Sequence, residues 1–554
     1  MTSAIIQYFL NDHLEPDEIR WQMQQFAAAG YQGVYPHARA GLSTPYGSAA
    51  WWAALDTILE CCQQHGLEFW IWDEDYYPSG WAGGRVVWEN PGLAARRLAF
   101  SVSEQQGALI EADFGPGLLL RAFALSGEEM IDVTEHCGTR RQTWGPRLVL
   151  HRAYSPLIHD VGHPHWRAWM SDNRFALEWR PPHAGPWTIV GVTDQVASDD
   201  YPDILRPEGI ARFLELTHAA YHQRYGREFG RTIKGCFTDE PSPAGSNFPW
   251  TPRFATEFER DHGYNLLDHL PHLALDIDSR TPAIRHHYRA TQGRLLTEHY
   301  TQQIGAWCDE HQIVLAGHLT RTEWLSLTAA WWPNEIRCYQ PMHIPSADPL
   351  GGSVGFPDAG SYATGLKVAS SAAHLFGRAQ AGGDVLAVVG EEMGLRDLRY
   401  LLDLHLVMGI NHFTLHGASY SFAGPRKDEV PPSLFVQHSQ WRHFDVLMQH
   451  LTEQAAALTG GEHVCHLALL YPSTSLACQV TPGGQPDLAD ERPIHQLVEL
   501  LLRQQSDFDF LDELTLQEKV DQAGRLTTPE PYQVILLPYL RYLEAGSAAA
   551  LERF

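Results

Sequence analysis

Apolar and polar positions at the start of the chain follow two periods in turn. Ala4–Leu10 is a short apolar run that ends in Asn11-Asp12-His13. A helical period opens at Pro16-Asp17 and runs to Ala29, where Gly30 closes it. Gly33–His37 is the next strand candidate. A second helical stretch covers Ala49–His65 and ends at Gly66, and Glu68–Trp72 leads into Asp73-Glu74-Asp75. Strand, helix, strand, helix, strand at such short spacing predicts parallel strands with crossover helices. Polar residues gather just after each strand, where both a (β/α)8 barrel and a doubly wound sheet place their chemistry. Eight such units would decide for the barrel.

The pattern breaks near Leu98. Short alternating runs separated by Gly and Pro continue to about Val196, which predicts a β-rich insertion after the third strand. Helical signals return from Pro207 to Tyr225. A fourth strand, Thr232–Phe237, leads into Thr238-Asp239-Glu240, and a long helical stretch covers Pro282–His311. Ile313–His318, Ile336–Tyr339, Val385–Glu392 and His412–His416 are the fifth to eighth strand candidates, with helices over Tyr362–Phe376 and Leu398–Gly409. The count of eight predicts an α/β fold of the (β/α)8 TIM-barrel type. After Gly460 the style changes to strands His466–Tyr471, Phe508–Leu511 and Val534–Leu537 around a helix Ile494–Gln504. The expected organisation is barrel over 1–97, β-rich insertion over 98–197, barrel again over 198–460, and a separate α/β unit over 461–554. That last unit stops at Phe554 within a helix and reads as incomplete.

Composition narrows the function classes. Of 554 residues, 44% are hydrophobic and 19% charged, a globular profile, and the formal net charge of −26 argues against a nucleic-acid binder. No apolar run approaches the ~20 residues that span a bilayer, and no basic-then-apolar leader opens the chain. Eight scattered cysteines without a CxxC pair fit neither a zinc ribbon nor a disulfide scaffold, so a reducing cytoplasm is expected. The 18 Trp, 21 Tyr and 30 His are rich for this length. Most are core residues, but aromatic plates beside short polar donors are also what a sugar site needs.

The candidate chemistry centres on carboxylates at strand ends. Glu240 and Glu392 fall at the ends of strands four and seven, nearly opposite across an eight-membered ring. Glycosidic cleavage needs two carboxyl groups flanking one bond, one donating a proton and the other attacking the anomeric carbon or activating water. Glu391 competes with Glu392, since alternation sends neighbours to opposite sides. Asp73, Asp75 and Trp81 form an acidic–aromatic loop suited to sugar hydroxyls and stacking. Asp239, His318, Tyr339, His343, Asp348 and His416 also fall at or just after expected strand ends. The bland reading of any one of them is a satisfied core or capping residue, and only their clustering at one rim points to substrate binding. A zinc set is disfavoured: there is no HExxH, and His163-Pro164-His165 lies in the insertion. Calcium held by loop carboxylates stays open. Gly351-Gly352 lacks a phosphate loop's Lys-Ser/Thr and reads as a flexible loop.

Several of these motifs, in this order, resemble a known family. They are the run Asp73–Gly84, Phe237-Thr238-Asp239-Glu240-Pro241, Gly317-His318, and Tyr339-Gln340-Pro341-Met342-His343-Ile344-Pro345. Together they look like bacterial glycosyl hydrolases related to the family 106 α-L-rhamnosidases over about residues 1–460. The stretch from His466, with Tyr471-Pro472, Phe508–Glu513 and Leu536-Leu537-Pro538, resembles the amidotransferase-like trimerisation domain of family 42 β-galactosidases. The wider clan places an acid/base Glu at strand four and a nucleophile Glu at strand seven, matching Glu240 and Glu392. It usually has Asn where this chain has Asp239. Family 106 implies inversion with a calcium-bound sugar, and family 42 implies retention without metal.

The expectation is therefore an exo-acting glycoside hydrolase, α-L-rhamnosidase-like first and β-galactosidase-like second. Its partner would be a glycoside or oligosaccharide, with no nucleic acid or membrane and a homo-oligomer through the C-terminal unit as an option. The competing readings are a silent sugar-binding barrel and a metal-dependent hydrolase using the His/Asp rim.

Overall fold

The computed structural model describes residues 3–141, 144–149, 166–171, 174–198, 200–243, 248–321, 324–351, 360–428, 431–459, 461–484, 488–538 and 540–554. Eight parallel strands close into a barrel: β1 (Ser3–Leu10), β2 (Gly33–Ala38), β3 (Glu68–Trp72), β4 (Ile233–Thr238), β5 (Val314–Gly317), β6 (Ile344–Ala347), β7 (Gly382–Val385) and β8 (His412–Ser419). Each pairs with the next in sequence, and β8 closes on β1 from Ser3↔His412 to Phe9↔Ser419. The first helices end as their sequence requires. Pro16 opens Pro16–Ala29, and Gly30 closes it at φ 87, a left-handed conformation that costs glycine nothing. Ser48 caps Ala49–His65 by accepting from the Trp51 N–H.

Between β3 and β4 the chain builds antiparallel sheets. One of them joins Arg96–Gln105, Leu118–Ser126, Glu129–Asp132 and Trp187–Val196, and Pro249–Trp250, which follows β4, adds a fifth strand at the edge next to Arg96–Gln105. Ile110, Phe114, Leu177, Trp179, Trp187 and Ile189 form a small separate core there. His163 and His165 lie outside the described residues, as does Gly352. At the other end of the chain, β9 (Leu467–Leu470), β10 (Asp509–Leu511) and β11 (Val534–Leu536) form a three-stranded parallel sheet in the order β10-β9-β11. Among the described residues no helix is long and apolar enough to cross a membrane.

Two strands sit elsewhere than hydropathy predicts. Ile336–Tyr339 is not the sixth strand; it belongs to the helix Glu335–Tyr339, whose buried Ile336 and Tyr339 follow i,i+3 spacing. The sixth strand is Ile344-Pro345-Ser346-Ala347, fully buried but disguised by a proline and two small residues. The seventh is Gly382–Val385 rather than Val385–Glu392. Its first two residues carry no side chain, because a Cβ on Gly382 would lie 2.3 Å from Ser346 Oγ. The apolar residues that suggested a strand, Leu386 to Val389, form a turn with φ of 71 at Leu386 and 59 at Val388. The helical stretches also break: Pro207–Leu216 and His218–Tyr225 part at Thr217, and a π turn at Thr297–Thr301 interrupts the stretch expected over Pro282–His311.

Candidate active site

The barrel interior is plugged by one apolar layer of Ile5, Tyr35, Trp70, Trp72, Phe237, Ala316 and Ile344. Trp72 and Phe237 stack with centroids 4.9 Å apart. Side chains on one face of a strand recur every second residue. Two residues beyond this plug, the inward positions become polar: Ile5 gives way to Gln7, Tyr35 to His37, Phe237 to Asp239 and Ala316 to His318. All four are buried. Asp384 on β7 and His416 on β8 join the same layer, so the pocket has an aromatic base and a floor of charge.

His318 organises that floor. Its Nε2 lies 3.2 Å from Asp239 Oδ1 and 3.8 Å from Asp384 Oδ2, ion-pair contacts rather than aligned hydrogen bonds. Gln7 Nε2 donates to Asp384 Oδ2 at 2.7 Å. Burial alone would strip His318 of its proton. The contacts to Asp239 and Asp384 and the nearby charge of Asp348 outweigh burial and hold its pKa well above the ordinary histidine value. His318 is thus a donor held between carboxylates. Asp384 Oδ1 is buried with no hydrogen-bond partner among the described residues, and so is His416 Nδ1. Buried polar atoms of this kind cost about 1–3 kcal/mol each until a ligand pairs them, and sugar hydroxyls, which donate and accept, can do so. Burial and Arg39 pull the pKa of His416 down to about 3 against the opposing pull of Asp239, so it is neutral. Burial and Arg39 likewise push His37 well below the usual value. Arg39 itself lies over the rings of Phe9, Tyr76 and Tyr77 at 4.8, 5.2 and 5.3 Å.

Glu240 follows Asp239 at the end of β4 with φ 45, in the left-handed region that a glutamate seldom adopts. Such a conformation persists only where its surroundings impose it. Thr320 Oγ1 lies 2.6 Å from both the Glu240 and the Pro241 carbonyl oxygens, sharing its one hydroxyl hydrogen between them, and Trp332 Nε1 donates to Pro241 O at 3.0 Å. On the other side, Ser79 Oγ accepts the Asp239 N–H at 2.7 Å and donates to Asp73 Oδ1 at 2.5 Å. Tyr201 OH donates to Ser79 O and accepts the Ser242 N–H. The Glu240 carboxyl lies close enough to Tyr77 that its charge, with that of Asp239, helps raise the phenol's pKa, after burial and against Arg39.

The remaining expected residues divide. Asp348 is buried and within the field of His318. Asp73 is fully buried but turned away from the floor, bonded to Ser79 with its other oxygen 4.0 Å from His218. Asp75 and Trp81 are buried in the loop after β3. Glu74 shapes that loop by accepting the N–H groups of Asp75, Trp81, Ala82 and Gly83 at 2.8–3.1 Å. Two residues expected at the rim are elsewhere. Tyr339, on its helix, donates to Ser346 O at 2.7 Å. His343 precedes β6, at the opposite end of the strand from the pocket, and bonds Leu315 N and Asp309. The altered position of the sixth strand moves both. Glu391 and Glu392 are exposed on the turn after β7, and Glu391 accepts the Ser433 N–H at 3.1 Å. Asp384, Gln7, His37 and Arg39 are additions to the candidate set.

As to a metal, the rim carboxylates Asp239, Asp348 and Asp384 are hard oxygen donors of the type calcium takes. Yet among the described residues, the one set of three or more His, Cys, Asp or Glu side chains whose donor atoms come within 4.8 Å of one another lies elsewhere.

Comparison with known proteins adds the following. The family model for glycoside hydrolase family 106, described as alpha-L-rhamnosidase, matches residues 173–551. No curated protein matches the sequence significantly. A rhamnosidase from Novosphingobium sp. PP1Y superposes with TM-score 0.65 at 12% identity, over 99% of this chain and 67% of that one. A beta-galactosidase from the psychrophilic Marinomonas ef1 gives 0.59 at 11%, over 99% and 74%. One from the Antarctic haloarchaeon Halorubrum lacusprofundi gives 0.57 at 11%, over 99% and 70%. At such identities these likenesses are of fold.

Proposed function

Because the chain belongs to glycoside hydrolase family 106, we propose that this glycoside hydrolase removes a terminal α-L-rhamnosyl residue in exo fashion. The observation that supports the exo reading is the floor, where His318 stands between Asp239 and Asp384 next to the apolar plug that fills the barrel interior. The hydroxyls of that sugar would pair Asp384 Oδ1 and His416 Nδ1, with Asp348 also at hand.

In this reading Glu240 is the general acid, delivering its proton to the leaving oxygen from a backbone fixed by Thr320 and by Ser79 through Asp239. Glu392, on the solvent-exposed turn after β7, is the second carboxylate and acts as base or nucleophile; Glu391 is tied to Ser433. Asp75 and Trp81 serve the substrate through the loop that Glu74 shapes. The exposed edge residues Val534 and Leu537 support a self-association role for 461–554 of the trimerisation-domain kind. Eight free cysteines support a reducing, cytoplasmic setting.

A panel of nitrophenyl glycosides tests the sugar. The α-L-rhamnoside is expected to give a kcat/KM at least ~100-fold above the others, a ratio within reach of hydroxyl-specific pairing. A preference for the β-galactoside would replace this reading with the galactosidase one. Turnover of none would leave the silent sugar-binding barrel.

A further inference from the structure

Away from the pocket, one cluster at the junction of the barrel and the C-terminal sheet has no part in glycoside chemistry. His374 stands near the end of the barrel helix Gly360–Leu375. His463 precedes β9, and Glu530 precedes β11. One donor atom from each lies within 4.8 Å of the others. We propose that His374, His463 and Glu530 bind a zinc-class divalent cation that joins the C-terminal sheet to the barrel.

Three observations support it. The first is the donor set: two imidazoles and one carboxylate suit zinc and its first-row neighbours rather than calcium, and they leave a fourth position for water. The second is the surrounding support. Ligating histidines are oriented by a carboxylate on the other ring nitrogen. Here His374 Nδ1 bonds Asp509 Oδ1 at 2.9 Å, leaving Nε2 as its donor. His463 Nε2 bonds Asp507 Oδ2 at 2.8 Å, while its Nδ1 lies 3.0 Å from Glu530 Oε1. Both supporting carboxylates are therefore in place, and Glu530 is itself held through its other oxygen by the Cys465 N–H at 2.9 Å.

The third is charge. Asp507, Asp509 and Glu530 bring three carboxylates, and Lys367 answers one, at 3.0 Å from Asp507 and 3.5 Å from Asp509. An ion bound there meets more carboxylate than lysine. The rings of His374 and His463 are stacked 3.9 Å apart and 18° from parallel. Binding thus requires the more exposed His463 ring to tilt toward His374 Nε2, replacing the proton it shares with Glu530 by the ion.

The test uses the full chain, stripped with a chelator and titrated with zinc against a chromophoric competitor, alongside thermal unfolding. The wild type is expected to take up one equivalent and gain about 2–4 °C in Tm. His374→Ala and His463→Ala, each checked for native circular dichroism, should bind at least ~10-fold more weakly and gain nothing on zinc addition. Asp507→Asn, which removes only a supporting carboxylate, should fall in between. Excess calcium should not compete. Absence of zinc uptake by the wild type, or equal uptake by the double variant His374→Ala/His463→Ala, would overturn the proposal. Neither outcome depends on glycosidase turnover.

Discussion

Ser79→Ala probes how the loops after β3 and β4 are locked together. The Ser79 hydroxyl donates to Asp73 and accepts from the Asp239 N–H, and all three residues are buried. Its loss leaves one buried acceptor and one buried donor unpaired. At roughly 1–3 kcal/mol for each, the wild-type loop arrangement loses about 3 kcal/mol. The cheapest relief is a shift of Asp239, which carries Glu240 with it, and a displacement near 1 Å at a reacting group costs on the order of 100-fold in rate. We expect kcat on the best nitrophenyl glycoside to fall about 10- to 100-fold, with a smaller change in KM and an earlier urea midpoint. Asp73→Asn supplies the contrast. Burial, with the Asp239 charge, holds the Asp73 carboxyl well above its usual pKa despite the Ser79 bond, so its charged form is disfavoured there. An amide oxygen can accept the same bond, and activity should stay within about 3-fold. Ser79→Ala with wild-type kcat and stability would refute the lock, and so would an Asp73→Asn variant as damaged as Ser79→Ala.

Other consequences follow from the same contacts. Glu74→Ala removes the acceptor of four backbone N–H groups, so the loop over 75–83 should lose amide-exchange protection and become a site of proteolytic nicking, at a local cost of about 3–5 kcal/mol. Burial lowers the pKa of His405 from 6.5 to about 4, with the Leu401 carbonyl opposing. Its folded pKa is depressed, so this stabilising contribution is present above pH 6.5 and is lost as pH falls toward 4, at ~1.4 kcal/mol per pH unit and about 3 kcal/mol in all. Urea midpoints at successive pH values should show a shallower acid loss in a folded His405→Asn variant than in the wild type, and equal slopes would rule His405 out as a contributor.

Much of the barrel was legible because its first strands and helices carry clear punctuation: Pro16 and Gly30, Ser48 and Gly66, and polar groups after each apolar run. Glu240, Asp239, His318 and His416 were reachable by that route, since each directly ends or follows a recognisable strand. The sixth and seventh strands were not, for a steric reason. Where strands crowd, the chain uses Gly382, Gly383, Pro345 and Ser346, which carry little hydropathy. The signal then passes to neighbouring stretches that form a helix and a turn. Tyr339 and His343 were misplaced by that shift, and Asp384 was hidden behind two glycines. Asp73 shows a different limit. A buried acid after a strand reads as a ligand-binding group, and only its bond to Ser79 reveals that it faces away from the floor.

The general-acid role of Glu240 is tested most directly by the dependence of Glu240→Gln on leaving group. A proton donor matters most when the departing oxygen is strongly basic. We expect kcat/KM to fall about 1,000-fold or more on an alkyl or phenyl glycoside, and far less on the dinitrophenyl glycoside of the same sugar, whose leaving group needs no proton. An equal loss on both substrates, or rates close to wild type on the alkyl glycoside, would contradict the assignment.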